Sequence, residues 1–154
     1  MAGDLPVRGT VYTVAEDPEK PGLLVCGTEF GLFFTIDGGK RWIQLKGGMP
    51  TINVRDVAFQ ERENDLVLAT FGRGFRILDD VTPLRQISAA SANEAAILFK
   101  PTTAWRVRWN TSTDMPWPKE EPTGANPPDG AAVNYYLKSA AIGPVTLEIH
   151  RADG

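Results

Sequence analysis

The sequence predicts an all-β fold, and three observations predict it. Two stretches of the chain repeat each other at a spacing of 42 to 43 residues. The 154 residues include 15 Gly and 12 Pro, a turn content suited to many short strands rather than long helices. No segment sustains a helical apolar period, and the Ala-rich stretch Ser88–Phe99 is the one place where a short helix fits. With 42% hydrophobic and 23% charged residues, the chain has ordinary globular composition and enough length for a core.

The repeat runs from Val11 to Leu45 and again from Val54 to Ile87. Val11 aligns with Val54, Val14 with Val57 and Ala15 with Ala58; Leu24 aligns with Leu66, Thr28 with Thr70 and Gly31 with Gly74. The one-residue slips fall in loops, where insertions cost least. A period near 42 suits a unit of four short antiparallel strands, the blade of a β-propeller. In the first unit the strands are expected over Thr10–Ala15, Leu23–Thr28, Leu32–Ile36 and Arg41–Leu45. In the second they are expected over Val54–Phe59, Asp65–Thr70, Phe75–Leu78 and Leu84–Ile87. Every break holds Gly, Pro or Asp, each a turn former for its own physical reason.

The turn between the third and fourth strands of the first unit reads TIDGGKRW, which is Thr35-x-Asp37-x-Gly39-x-x-Trp42. Asp37 is expected to accept backbone amides across the turn. Gly38 and Gly39 permit positive φ, and Trp42 is expected to fold its ring into the gap beside the sheet. The second unit has Leu78-Asp79-Asp80 at the matching place and lacks the Gly and Trp.

Beyond the repeat, residues 89–109 read as a segment leaving the two units (1–88), and 110–130 as a proline-rich linker. In 131–154, AAVNYYLK and VTLEI both alternate, and Ala140–Pro144 supplies a turn between them. The pattern predicts a hairpin with one apolar face that seeks a partner sheet.

Charge and motifs narrow the chemistry. The net charge is -3, and the cations are scattered singly, so there is no basic stripe for nucleic acid. No apolar run approaches the length of a membrane span, and the first ten residues lack the apolar core of a signal peptide. Cys26 is expected as a small buried strand residue; one thiol without clustered His makes no metal site, and no cofactor motif is present. No catalytic residue is assigned. Asp79 and Asp80 are sequence neighbours whose side chains diverge in a strand, Glu120 and Glu121 lie in the linker, and His150 falls out of phase with Leu147 and Ile149, toward solvent. Arg73, between two glycines, is a candidate binding-loop residue, set against the reading of an ordinary surface charge. Trp105 and Trp109 share a face in an extended segment and are candidate glycan-stacking residues, set against packing between the repeat and the C-terminal hairpin.

The segments GTEFGLFFTIDGGKRW and FGRGFRILDDVTPLRQI resemble the last blades of bacterial sortilin-type and sialidase-like propellers with Asp-box (BNR) repeats. ILFKPTTAWRVRW is similar to the segment leaving such a propeller, and NPPDGAAVNYYLKSAAIGPVTLEIHRADG to the first hairpin of the sandwich after it. Arg41 departs from the box, where Thr or Ser is usual. The resemblance implies a longer parent, exported or displayed at the cell surface, with Thr35, Asp37, Gly39 and Trp42 as structural box residues. It implies a non-catalytic structural or interaction role, with a protein or glycan partner bound by loops. The alternative is part of a glycoside hydrolase whose catalytic carboxylates lie outside this chain. Two blades cannot close a ring, so the remaining blades or self-association are the expected partners.

Overall fold

The computed structural model describes residues 2–106, 120–121, 124, 127 and 129–151. Among them the structure is all-β with antiparallel sheets, none closed into a barrel. The first sheet is a four-stranded meander of β1 (Val11–Glu16), β2 (Leu24–Thr28), β3 (Gly31–Thr35) and β4 (Ile43–Leu45). The second has three strands, β5 (Val54–Gln60), β6 (Asp65–Thr70) and β7 (Phe75–Leu78). The strands of the first sheet fall within two residues of their expected spans.

The two sheets repeat each other down to single hydrogen bonds. Each has a register irregularity in its first strand, between Val11 and Thr13 and between Val54 and Asp56. Glu29 N donates to Thr10 O, and Phe71 N donates to Asn53 O, both at 2.9 Å. Thr28 Oγ1 donates to Gly31 O at 2.9 Å, and Thr70 Oγ1 to Gly74 O at 2.6 Å. A shared bulge and shared turn locks are features of a common unit, since bulges set a strand's twist.

The main core lies between the sheets. Leu23, Val25, Leu32 and Phe34 from the first sheet and the loop before it meet Val54, Val57, Leu66 and Leu68 from the second, with Val81 closing one end. β1 and β2 lie against β5. Gly27 permits that approach: a Cβ there sits 2.6 Å from Val54 O. At the same seam the Arg55 guanidinium stacks 4.1 Å from the centre of the Tyr12 ring.

Three expectations are corrected. Leu84–Ile87 is not a fourth strand of the second sheet, because the chain forms helix α1 over Thr82–Gln86. Asp80, at φ 56°, accepts both Thr82 N (3.0 Å) and Thr82 Oγ1 (2.6 Å), which bends the chain. Pro83 then sits in the first helical turn, where its missing N–H costs nothing. Ser88–Phe99 holds a single 3-10 turn (Ser91–Asn93) and a short strand, β8 (Ala96–Leu98). Ser88 and Ser91 exchange side-chain-to-backbone bonds there, which compete with a helix. The predicted C-terminal hairpin is also absent among the described residues. β9 (Tyr135–Leu137) pairs antiparallel with β8, extended by Phe99 N to Asn134 O and Lys138 N to Ala95 O, both 3.0 Å. Val145, Leu147 and Ile149 are exposed and form no strand. Alternation assigns faces within a strand but does not choose its partner.

Candidate functional site

The box turn is built as a closed ring of hydrogen bonds. Buried Thr35 donates its hydroxyl to Asp37 Oδ1 at 2.7 Å and accepts Asp37 N (3.3 Å) and Gly39 N (3.2 Å). Asp37 Oδ1 then accepts Lys40 N at 2.9 Å and Arg41 N at 3.0 Å. The Thr35 hydroxyl, and next the Arg41 amide, hold the Asp37 carboxyl below its ordinary range. Gly39 takes φ 91°, and Gly38 N donates to Gly22 O at 3.0 Å, tying the turn to the β1–β2 loop. The turn delivers Trp42 onto the outer face of the first sheet, where it packs with Leu24, Cys26 and Phe33. Burial there pushes the Cys26 thiol up to about 11. Thr35, Asp37 and Gly39 are thus brought together in one turn, with Asp37 occupied by the turn it holds, while Trp42 packs on the sheet beside it.

A second polar knot escaped the sequence reading. Asp17, buried in the β1–β2 loop, accepts Glu19 N (3.0 Å) and Lys20 N (2.7 Å) and pairs with Arg85 Nε of α1 at 2.9 Å. Arg85 Nη1 bonds Asn64 Oδ1 and lies 2.9 Å from Glu19 Oε1. Arg85 Nη2 is buried with no hydrogen-bond partner among the described residues. Lys20 Nζ donates to Leu84 O (3.2 Å) and to Ile87 O. Burial lowers the Lys20 pKa, and Asp17 opposes the shift. This knot fastens the helix that follows the second sheet to the first. Asp17-Pro18 was legible only as a turn, and nothing local marks Arg85 as a partner 68 residues away.

Beside the knot lies a cleft of about 780 Å³, lined by Lys20, Asp37, Arg41, Gln86, Asn93 and Tyr136 among others. Among the described residues Asp37 is the one carboxylate lining it, so they do not assemble there the paired carboxylates of glycoside hydrolysis. Gln86 is engaged on both sides of Lys100, accepting its N–H at 2.8 Å and donating to its carbonyl at 3.0 Å. Arg73 is exposed at the tip of the β6–β7 turn and forms no ion pair among the described residues. Trp105 is 81% exposed, outside both apolar cores. Trp109, Trp117 and most of the proline-rich stretch lie outside the described residues. Glu120 and Glu121 are exposed, and exposed His150 lies 3.1 Å from Glu148. Among the described residues no group of His, Cys, Asp or Glu is placed to hold a metal, and no helix is long and apolar enough to cross a membrane.

The most distinctive surface is an apolar sheet face. Ladder partners share a face, so the register sorts every strand residue. In the first sheet Ala15, Val25 and Phe34 share the face that packs on the second sheet, together with Leu32. Their counterparts in the repeat are Ala58, Val67, Ile77 and Phe75. Those residues do not face the first sheet. Phe75 is 76% and Ile77 60% exposed, whereas Leu32 is 1% and Phe34 8% exposed. The sheets therefore stack with unlike faces together, the inner face of one unit on the outer face of the next. Among the described residues no sheet covers the inner face of the second sheet. No protein-family model, no curated protein and no solved structure matches the chain.

Proposed function

We propose that this chain is a non-catalytic structural and interaction module, the closing part of an Asp-box β-propeller whose parent is exported or displayed at the cell surface. Its working surface is the inner face of the second sheet, formed by Ala58, Val67, Phe75 and Ile77. The observation that supports this reading is the stacking itself. The chain already contains one joint between an inner and an outer sheet face, and it presents a second inner face on which Phe75 and Ile77 are exposed among the described residues. Large contiguous apolar surface of this kind marks interaction sites. The occupant that fits is another antiparallel sheet offering the outer-face chemistry of Leu24, Cys26 and Phe33. The exposed Arg73 turn and Trp105 supply loop contacts for a protein or glycan partner at the rim.

The test uses an apolar dye, anilinonaphthalene sulfonate, and the double variant Phe75→Asp/Ile77→Asp. The parent chain should enhance dye fluorescence, and the double variant should lose most of that signal while keeping its melting temperature. A variant that unfolds instead places the two side chains in an internal core, and the reading fails.

A further inference from the structure

The outer face of the first sheet is the mirror case of the open one. It is apolar, bearing Leu24, Cys26, Phe33 and Trp42, yet among the described residues no sheet covers it. Its cover is the N-terminal segment. Among the described residues, Leu5 is the partly buried hydrophobic packed against that cluster. Asp4 Oδ1 accepts Trp42 N at 2.6 Å, and Leu5 N closes a turn onto Ala2 O at 2.9 Å. Gly3, at φ 45°, lies so close to the box turn that a Cβ would sit 2.4 Å from Lys40 O. The rest of the segment up to Gly9 is exposed. The equivalent face of the second sheet, in contrast, is covered by a whole sheet carrying Val25, Leu32 and Phe34. One leucine and one aspartate hold a place that elsewhere in this molecule takes a sheet.

We infer that residues 2–6 form an exchangeable cap, standing in for the second sheet of another copy of this chain. Releasing the cap exposes the outer face of the first sheet to the open inner face of a neighbour's second sheet, bearing Phe75 and Ile77. The joint so formed repeats, between copies, the joint already present within one copy. It is a head-to-tail contact, so it propagates to a ring if the rotation closes and to a filament if it does not. The inference rests on the reading of the open face in the preceding subsection. A few anchoring contacts make the cap an element of low local stability, one that opens without global unfolding.

Cys26 reports on the cap, because it is fully buried on the outer face beneath it. The experiment follows its reaction with a colorimetric aromatic disulfide, and the molar mass by sedimentation velocity, over a range of protein concentrations. Three chains are compared: the parent, the cap variant Gly3→Val/Leu5→Ser, and the cap variant carrying Phe75→Asp/Ile77→Asp as well. The parent is expected to react slowly at the 16.8 kDa of one copy. The cap variant should react about tenfold faster or more when dilute. On concentration it should form larger species and slow again as copies dock. The third chain should stay fast and monomeric at every concentration. Added peptide of residues 2–9 should reverse the association of the cap variant, and Leu5→Ser alone should shift the same readouts less if the double change proves too disruptive. A cap variant that is fast but monomeric throughout overturns the exchange and leaves the open-face reading standing. Association that Phe75→Asp/Ile77→Asp does not block overturns both, because copies are then meeting through another surface.

Discussion

The two sheets begin from the same repeat and end in different environments. β2 is buried along its whole length, because the first sheet is covered on both faces. β6 alternates: Leu66 and Leu68 are buried, while Val67 and Ala69 are only partly so. The sequences record the same difference. The run LVCGT is continuous and mostly apolar, as two-sided burial asks, and Gly27 stands where β5 presses in. Ala69, its counterpart, lies on the face turned away from the first sheet. The closing turns differ as well. Thr35 and Asp37 return the chain as a fourth strand, whereas Thr82 and Asp80 reuse the same hydroxyl–carboxylate pairing to start a helix. A repeat thus conserves the hydrogen bonds that make a unit and varies the features that decide what the unit touches.

The largest expected effect comes from cutting the link between the halves. Asp17→Ala removes the buried carboxylate partner of Arg85 and leaves it the exposed Glu19, and is expected to cost about 3–5 kcal/mol. That is a large part of a small domain's stability, and urea unfolding measures it directly. A loss below about 1 kcal/mol would falsify the view that this knot holds the sheets in register. Next comes the matched pair Leu32→Ala and Phe75→Ala. The first opens a cavity between the sheets and should cost about 2–5 kcal/mol. The second removes a larger side chain from an exposed face and should stay within about 0.5 kcal/mol. Equal costs in thermal melts would mean that the second sheet is covered too. Thr35→Val keeps the shape of the buried hydroxyl residue but strips the box turn of its hub, at about 1–3 kcal/mol by denaturant titration.

The box turn also carries a pH signature. The Asp37 carboxyl is lowered in the folded chain, so its stabilisation is complete above the ordinary 3.8 and is lost as pH falls through the folded value. The melting-temperature gap between the parent and Asp37→Asn should therefore be flat above pH 5 and close in stronger acid. A gap that widens in acid contradicts the turn geometry. The smallest effect is expected at Arg73→Ala, within about 0.5 kcal/mol, since an exposed turn cation without an ion pair holds nothing in the fold.

Much of this molecule was legible in advance where the determining physics is local. The strands of the first sheet follow from β-branched and aromatic runs between turn formers. The ring around Thr35 and Asp37 follows from the short polar side chains and glycines of TIDGGKRW, which satisfy backbone groups only a few residues away. The expected strand at Leu84–Ile87 failed because Asp80 and Pro83 redirect the chain before it can rejoin the sheet. The expected hairpin failed because β9 takes β8 as its partner, with Ile97 paired to Tyr136 far along the chain, and no pattern within either strand names the other. Trp105 can serve a core or a surface by residue type, and its exposed position is a property of the surrounding packing.

By itself the sequence determined the repeat, its period, the turn chemistry and the alternation that gives each strand two distinct faces. These depend on backbone conformation and on contacts within a few residues. Only the tertiary structure decided which face meets which, that Asp17 and Arg85 find each other, that Leu5 packs on one apolar face and that Phe75 and Ile77 are exposed on the opposite one. Those outcomes depend on contacts between residues far apart in the chain, and burial, unlike a turn, is a property of what lies on the other side.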